Sequence, residues 1–252
     1  MRITFLGTGS SAGTPVMTCR CRVCCSNDPR NRRLRASILV EEEGVRLLVD
    51  TGPDLRQQIL RAGVVGINAV LFTHFHADHI NGIDDLRAFN FAQKEIIPCF
   101  ADARTAQELQ ARFRYCFLPP DATWAKPSLS ITEILEALDF GPLQVTPITL
   151  LHGKLPIFGY RFNNVAYLTD LKMIPDESLA LLQDLDLLII DCLRYEEHPT
   201  HLNVEEALLW ARRIGARRTY LTHMTHDVDY AELAARLPPR VIPAYDGLVL
   251  SA

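Results

Sequence analysis

Short apolar runs recur along the 252-residue chain, and their lengths indicate β-strands separated by helices. The runs that predict strands are 3–6, 37–40, 45–49, 69–72, 143–150, 158–162, 165–168, 185–190, 219–221 and 248–250. Helices are predicted over 54–62, 84–93, 105–113, 175–183, 204–214 and 230–236. Because the early strands follow one another closely and the later ones alternate with helices, the pattern favours an α/β architecture of two mixed sheets covered by helices.

The range from about 94 to 136 fits this pattern least well. It has little strand signal and contains Leu118 followed by two prolines. We therefore treat the chain as a single domain over 1–252 with an insertion at about 94–136. This insertion is expected to hold one or two helices and to lie over the active site or at a dimer contact.

Composition narrows the classes of function. Apolar residues make up 48% of the chain and charged residues 22%, which suits a sizeable core and argues against disorder. The formal net charge of −4 provides no general attraction for nucleic acid or for an anionic membrane. No apolar run is long enough to span a membrane, and the first residues do not resemble a signal peptide, so we expect a cytoplasmic protein.

Four potential metal ligands fall within six residues, directly after a predicted strand: His74, His76, Asp78 and His79. A helix alone would not direct all four at one ion, because helical positions two apart face different sides. A loop between a strand and a helix can do so when its ligands divide between two ions. We therefore expect His74 and His76 to bind one metal, and Asp78 and His79 to bind the other.

Three further residues with ligating side chains follow predicted strands: His152, Asp170 and His223. Functional groups in α/β folds lie at the carboxyl ends of strands. A lone histidine in such a place is usually structural, but this accumulation in a chain with eight histidines is not explained that way. The seven donors are enough for two catalytic zinc ions that keep a position for water.

Four of the seven cysteines are close together, at Cys19, Cys21, Cys24 and Cys25. In a chain of this size, such a cluster indicates metal binding rather than a disulfide framework. The first three have C-x-C-x-x-C spacing and are one ligand short of a closed zinc site, which His226 can complete. Cys25 is an alternative thiolate ligand, and buried or reactive cysteines without metal are the competing interpretation.

The order His-x-His-x-Asp-His, followed by His, Asp and His, resembles the metallo-β-lactamase superfamily, whose fold is an αββα four-layer sandwich. Val-Asp-Thr-Gly at 49–52 is similar to that family's short motif upstream of the ligand loop. The resemblance gives Asp50 the role of holding a ligand imidazole through its far ring N–H. His76 stands where an oxygen-reducing di-iron branch carries Glu, so this imidazole-rich set favours zinc, with manganese or iron as alternatives.

The cysteine loop, together with His-x-x-His near the end, resembles the narrower family of PhnP-type phosphodiesterases, which hydrolyse phosphoribosyl cyclic phosphate and carry a structural zinc. The similar segments extend nearly from end to end of the chain: 6–9, 19–24, 49–52, 74–79, 152–155, 158–160, 168–170, 190–192, 201–203, 221–223 and 246–247. The resemblance implies a structural zinc at Cys19, Cys21, Cys24 and His226, and a bridging role for Asp170. It also implies that His201 contacts the phosphate or protonates the leaving oxygen, which is work that a histidine suits near neutral pH.

These observations lead to the hypothesis of a dinuclear metal-dependent phosphodiesterase, with His201 and Asp78 among its catalytic residues. A metal-bound hydroxide would attack a small or cyclic phosphodiester, of the phosphoribosyl cyclic phosphate or cyclic nucleotide type. One alternative is a tRNase Z-like or other hydrolase of the same fold, although no basic arm for tRNA is present. Another is a non-catalytic metal-binding accessory or carrier protein similar to the pyrroloquinoline-quinone pathway relative. A homodimer is compatible with each of these functions.

Overall fold

The computed structural model describes residues 1–119 and 124–252. The first six strands along the chain belong to the first sheet: β1 (Arg2–Gly7), β2 (Ser37–Glu42), β3 (Val45–Val49), β4 (Ala69–Leu71), β5 (Ile97–Ala101) and β6 (Leu129–Glu133). Seven strands form the second sheet: β7 (Leu138–Asp139), β8 (Gln144–His152), β9 (Leu155–Phe162), β10 (Val165–Leu168), β11 (Leu187–Asp191), β12 (Arg218–Thr222) and β13 (Val241–Pro243). The last strand, β14 (Val249–Ser251), pairs with β1 and completes the first sheet.

Both sheets are mixed, and their strand orders are similar. The first has the order β14-β1-β2-β3-β4-β5-β6, and the second has the order β13-β12-β11-β10-β9-β8-β7. Strands β3 to β6 are parallel, as are β10 to β13, whereas the remaining pairs are antiparallel. Parallel neighbours require crossover connections, and helices supply most of these.

The helices are α1 (Leu55–Ala62), α2 (Ala77–Ile80), α3 (Arg87–Gln93), α4 (Ala103–Arg112), α5 (Asp176–Ala180), α6 (Val204–Ile214) and α7 (Tyr230–Arg236). One apolar cluster lies between the two sheets, and a separate cluster joins each outer sheet face to its helices. In β3, Leu47 and Val49 belong to the cluster between the sheets, while Leu48 belongs to the helix-covered face, as strand alternation requires. The expected αββα four-layer sandwich is therefore confirmed.

The range 94–136 is more regular than the sequence indicated. Besides α4, it contributes β5 and β6 to the edge of the first sheet; residues 120–123 lie outside the described part of this range. Strand β5 contains Pro98, which removes an N–H donor, and edge strand β6 buries only Leu129. Both features weaken the apolar pattern, which explains why these two strands were not predicted.

The parallel strands bring their carboxyl ends to one edge of the sandwich. Asp50 follows β3 directly, Asp170 lies two residues after β10, and His223 follows β12. His152 ends β8 at the same place, so the predicted ligands converge there. None of the helices over 1–119 and 124–252 has both the length and the apolar character that a bilayer crossing requires.

Candidate metal centre

The segment that follows β4 carries the four predicted ligands of the His-x-His-x-Asp-His motif: His74 and His76 lie in the loop before α2, and Asp78 and His79 lie in α2 itself. His74 and His79 are buried, whereas His76 and Asp78 are partly exposed. Helix α2 packs closely over Gly52, because a Cβ atom at that position would stand 2.2 Å from the Asp78 carbonyl oxygen. A residue larger than glycine would displace the ligand loop, which accounts for the glycine that ends the Val-Asp-Thr-Gly segment.

Asp170 lies between the two halves of the predicted ligand set. Its Oδ2 is 3.3 Å from His79 Nε2, and its Oδ1 is 3.2 Å from His223 Nε2 and 4.0 Å from His74 Nε2. Asp78 Oδ2 is 3.3 Å from His79 Nε2. Ligand atoms of one tetrahedral zinc ion lie roughly 3.3–3.8 Å apart, given bonds of about 2.0–2.3 Å. The spacing of Asp78, His79, Asp170 and His223 therefore fits a single ion.

The other half of the set consists of imidazoles that pack edge to face. The His74 ring centroid is 4.6 Å from that of His76, and the His76 centroid is 5.1 Å from that of His152. Ligand atoms of His152, Asp170 and His201 all lie within 4.8 Å of one another. The structure thus brings all seven predicted ligands to one centre, and it places His201 within ligating reach as well.

Hydrogen bonds fix which ring nitrogen of each imidazole faces this centre. Asp50 Oδ2 lies 2.8 Å from His79 Nδ1 and accepts from the Thr73 hydroxyl at 2.8 Å. Having donated its one proton, Thr73 Oγ1 accepts from His74 Nδ1 at 3.0 Å. His152 Nδ1 donates to the Thr200 carbonyl at 3.0 Å. Each of these three histidines therefore keeps its Nε2 lone pair for a ligand.

Three of the inward nitrogens fit a metal because they have no other partner. His74 Nε2, His79 Nε2 and His223 Nε2 are buried without a hydrogen-bond partner in the described chain. Buried polar atoms are normally paired, and an orphaned group is costly. Three such atoms around one carboxylate form a donor set that fits a cation.

Charges at the centre also favour cations. Burial opposes a positive charge on His79, but Asp170, Asp78 and Asp50 outweigh it and hold the pKa of His79 well above its ordinary value. Burial likewise opposes charge on His223, yet Asp170 and Asp191 raise its pKa to about 10. The carboxylates thus attract positive charge, whether as protons on imidazoles or as metal ions.

The opposite holds on the imidazole-rich side. Burial lowers the pKa of His74, His76 and His152, which keeps these rings neutral. Neutral imidazoles are the form that binds metals.

Asp191, at the end of β11, is a site residue whose role the sequence left open. Its Oδ2 accepts from the Leu202 N–H at 2.9 Å, and both its oxygens lie 3.4 Å from His201 Nδ1. Its Oδ1 is also 3.3 Å from His223 Nδ1. The rings of His201 and His223 stack at a centroid distance of 4.9 Å. The position of Asp191 at a strand end was visible in the sequence. Its contact with two histidines arises only in the tertiary structure.

The cysteine loop forms a second cluster of ligating atoms. Cys19, Cys21, Cys24 and His226 lie within 4.8 Å of one another, and His226 Nδ1 is 3.4 Å from the Sγ atoms of both Cys19 and Cys21. Cys25 is exposed and lies outside this cluster. A hydrogen bond from the Cys24 N–H, with a smaller contribution from His226, lowers the pKa of Cys21 to about 6. A thiol with a lowered pKa loses its proton readily, and the resulting thiolate is the form that binds zinc.

Comparison with known proteins places these features in context. Residues 45–224 match the family model described as the beta-lactamase superfamily domain. A solved structure described as a new diphosphatase from the PhnP family is 39% identical, with a TM-score of 0.93 over 99% of this chain and 97% of that one.

Two curated relatives differ in how much of their own length is matched. An octanoyltransferase of Porphyromonas gingivalis is 38% identical over 98% of this chain, but the chain spans only 51% of that protein. A ribonuclease Z of Streptomyces coelicolor is 26% identical, over 79% of this chain and 84% of its own length.

Proposed function

Because the chain belongs to the metallo-β-lactamase superfamily and stands near its PhnP family, we propose that it is a metal-dependent phosphodiesterase acting on small or cyclic phosphodiesters. It is a hydrolytic enzyme of this superfamily, and the finer assignment is our proposal. The observation that carries it is the convergence of three unpartnered imidazole nitrogens on Asp170, with His201 beside them.

The proposed ligand sets share one carboxylate. His74, His76 and His152 would hold one ion, Asp78, His79 and His223 the other, and Asp170 would serve both. Such a pair of ions supplies Lewis acidity toward the phosphoryl oxygens and lowers the pKa of water. Zinc is the proposed metal because imidazole donors outnumber carboxylates, with manganese or iron as alternatives.

His201 is proposed to donate the proton that the leaving oxygen needs. It stacks on His223 and meets the His152 ring edge-on at 4.6 Å, so it borders both ligand sets. Asp191 faces its Nδ1 atom, which directs the other ring nitrogen, Nε2, away from that carboxylate. A general acid placed in this way contributes about 10²–10⁴-fold to the rate.

Asp78 is proposed to act both as ligand and as catalytic residue, since its carboxylate is the partly exposed one of the cluster. The Cys19–Cys21–Cys24–His226 cluster is proposed to hold one structural zinc, separate from the reaction.

A second candidate reaction is hydrolysis of a diphosphate linkage, which the 39% identical diphosphatase favours. Both reactions break a P–O bond, but the diphosphate releases a weakly basic phosphate, whereas a ribose ester releases a strongly basic alkoxide. Only the ester therefore depends strongly on a general acid.

The octanoyltransferase activity of the Porphyromonas relative is not carried over, because half of that protein lies beyond the match. Cys192, next to Asp191, is fully buried, and burial raises the pKa of its thiol, so it does not offer a nucleophile for acyl transfer.

The test is a substrate panel with zinc- or manganese-loaded protein. It contains a ribose 1,2-cyclic phosphate, a 2′,3′-cyclic nucleotide, a dinucleotide diphosphate and a pre-tRNA. We expect turnover of a cyclic ester, abolished by His79→Ala. Turnover of the diphosphate alone would replace the first candidate with the second, and turnover of pre-tRNA alone would indicate a ribonuclease Z. No turnover of any of the four by metal-loaded protein would contradict the proposal.

A further inference from the structure

Arg33 is the largest fully buried side chain of the protein, with 1% of its surface exposed. Burial lowers the pKa of its guanidinium to about 10, against the opposing effect of Asp246 and Asp229. Its hydrogen bonds go to neutral oxygens, namely two carbonyls and the Asn31 side chain. Burying a charge with only neutral acceptors is costly, so this arrangement requires an explanation.

The guanidinium holds both ends of one turn. Arg33 Nη1 donates to the Thr225 carbonyl at 2.9 Å, and Nη2 donates to the Val228 carbonyl at 2.8 Å. The turn itself is closed by a bond of 3.3 Å from the Val228 N–H to the Thr225 carbonyl. His226, the histidine of the cysteine cluster, lies inside this turn. The planar fork of arginine can span two acceptors in this way, whereas a lysine ammonium is a single point.

The same segment of chain carries a residue of the catalytic centre. His223 lies two residues before Thr225, and Met224, between them, pairs through its N–H with the Thr8 carbonyl at 2.9 Å. The Thr225 N–H donates to the Leu193 carbonyl at 2.9 Å. The segment 223–228 therefore presents one imidazole to each metal cluster, and its two ends are fixed by different parts of the fold.

Arg33 is in turn attached to the loop that contains the cysteines. Its N–H and carbonyl both pair with Thr14, each at 2.8 Å, across residues 15–32. Asn31, whose side chain accepts from Arg33 Nη2 at 3.1 Å, also accepts from the Tyr230 N–H and donates to Asp229. Arg33 thus stands where the cysteine loop closes and meets the histidine segment.

We propose that Arg33 is a positioning residue that ties the cysteine loop to the 223–228 segment, so that the cysteine cluster and the His223 half of the catalytic centre are assembled together. The inference rests on the metal binding proposed above. It goes beyond that proposal by assigning a link between two metal sites to a residue that ligates neither.

The experiment uses metal-free protein titrated with cobalt(II), in the full chain. Charge-transfer absorption from thiolate to cobalt reports the cysteine cluster, while visible d–d absorption reports all bound cobalt. The variants are Arg33→Met, which removes both bonds to the turn, and Arg33→Lys, which keeps the charge but cannot span both carbonyls. Arg32→Met is the matched control, because Arg32 is the exposed neighbour.

We expect Arg33→Met to weaken cobalt binding at the cysteine cluster by about 10–100-fold, the usual effect of removing a group that supports metal ligands. One of the two catalytic ions should also bind more weakly, because His223 is displaced. Arg33→Lys should recover part of both losses, and Arg32→Met should match the wild type.

Equal thiolate charge-transfer titrations for Arg33→Met and Arg32→Met would overturn the role of Arg33. If Arg33→Met does not fold, Arg33→Lys decides: wild-type cobalt affinity at both sites would overturn the proposal, and weakened affinity at both would support it. If the wild-type protein itself gives no thiolate–cobalt band, the structural-zinc proposal fails and the inference fails with it. A wild-type band that the Arg33 variants leave unchanged refutes this inference alone.

Discussion

Three residues of the metal centre have a left-handed backbone conformation: Asp50, Asp170 and His223, with φ of 64°, 59° and 62°. This region is uncommon for residues other than glycine, although Asp and His tolerate it better than most. Each such residue costs on the order of 1–3 kcal/mol and persists where the surroundings hold it in place. Here a sharp turn within two residues of a strand end directs each side chain into the centre.

At this scale of single residues, His201→Ala tests general acid catalysis. We expect turnover of a ribose ester to fall about 10²–10⁴-fold and turnover of a nitrophenyl ester to change little, because nitrophenolate leaves without a proton. The measurement is kcat on both esters, with metal content determined in parallel. His198→Ala is the control, since that ring lies beside His201 at 5.1 Å but is not assigned a role.

Other outcomes for His201→Ala have distinct meanings. Equal losses on both esters would indicate that His201 binds the phosphate. Loss of a catalytic metal would make His201 a ligand, which its distance from His152 and Asp170 allows. Unchanged activity on both esters would remove it from the mechanism.

Asp191→Asn tests whether one carboxylate orients two histidines. The amide can donate where His201 and His223 need an acceptor, so either ring can lose its orientation. We expect turnover to fall about 10–100-fold on both types of ester, together with weaker binding of one catalytic metal. The measurements are kcat and metal affinity. If Asp191→Asn kept the wild-type kcat and metal affinity, the contacts of 3.3–3.4 Å from Asp191 to the two histidines would carry no function.

At the scale of elements, the cysteine loop has little regular structure of its own. Apart from Val23, its residues between Cys19 and Cys25 are at least partly exposed, so burial alone does not account for its stability. Four ligating atoms within 4.8 Å provide the missing constraint. A metal that the unfolded chain cannot hold in this geometry stabilises the folded state.

Cys21→Ser should therefore lower the thermal stability and the zinc content of the protein more than its catalytic rate per folded molecule. Cys25→Ser is the matched control, because Cys25 is exposed and outside the cluster. Thermal unfolding and elemental analysis of both variants provide the measurement. If Cys21→Ser kept the Tm and the zinc content of the wild type, the cluster would not be a structural metal site.

At the scale of the whole molecule, we expect three metal ions per chain, two at the catalytic centre and one at the cysteine cluster. The two sets share no ligand. His223 belongs to the catalytic centre and His226 to the cysteine cluster, although both lie on the segment 223–228. Elemental analysis of fully loaded protein tests the number. A single tightly held ion would contradict it, whereas partial removal by chelators should release catalytic ions first, because the thiolate site is closed.

Local sequence determined much of this protein. Most strands and helices were predicted to within a few residues, because strand alternation and helical spacing are local patterns. The motif at 74–79 indicated a divided ligand set because its spacing alone rules out a single helical face. The C-x-C-x-x-C spacing of three cysteines is likewise a local pattern, and it indicated a zinc site that lacks one ligand.

Contacts between distant parts of the chain were decided only by the tertiary structure. Strands β5 and β6 form because the sheet edge accepts them, although their own apolar pattern is weak. Asp191 lies against two histidines, and Arg33 holds the turn that carries His226, through contacts that span up to 195 residues of sequence. No spacing rule encodes such contacts, because the positions and directions of those groups are fixed only once the two sheets have packed together.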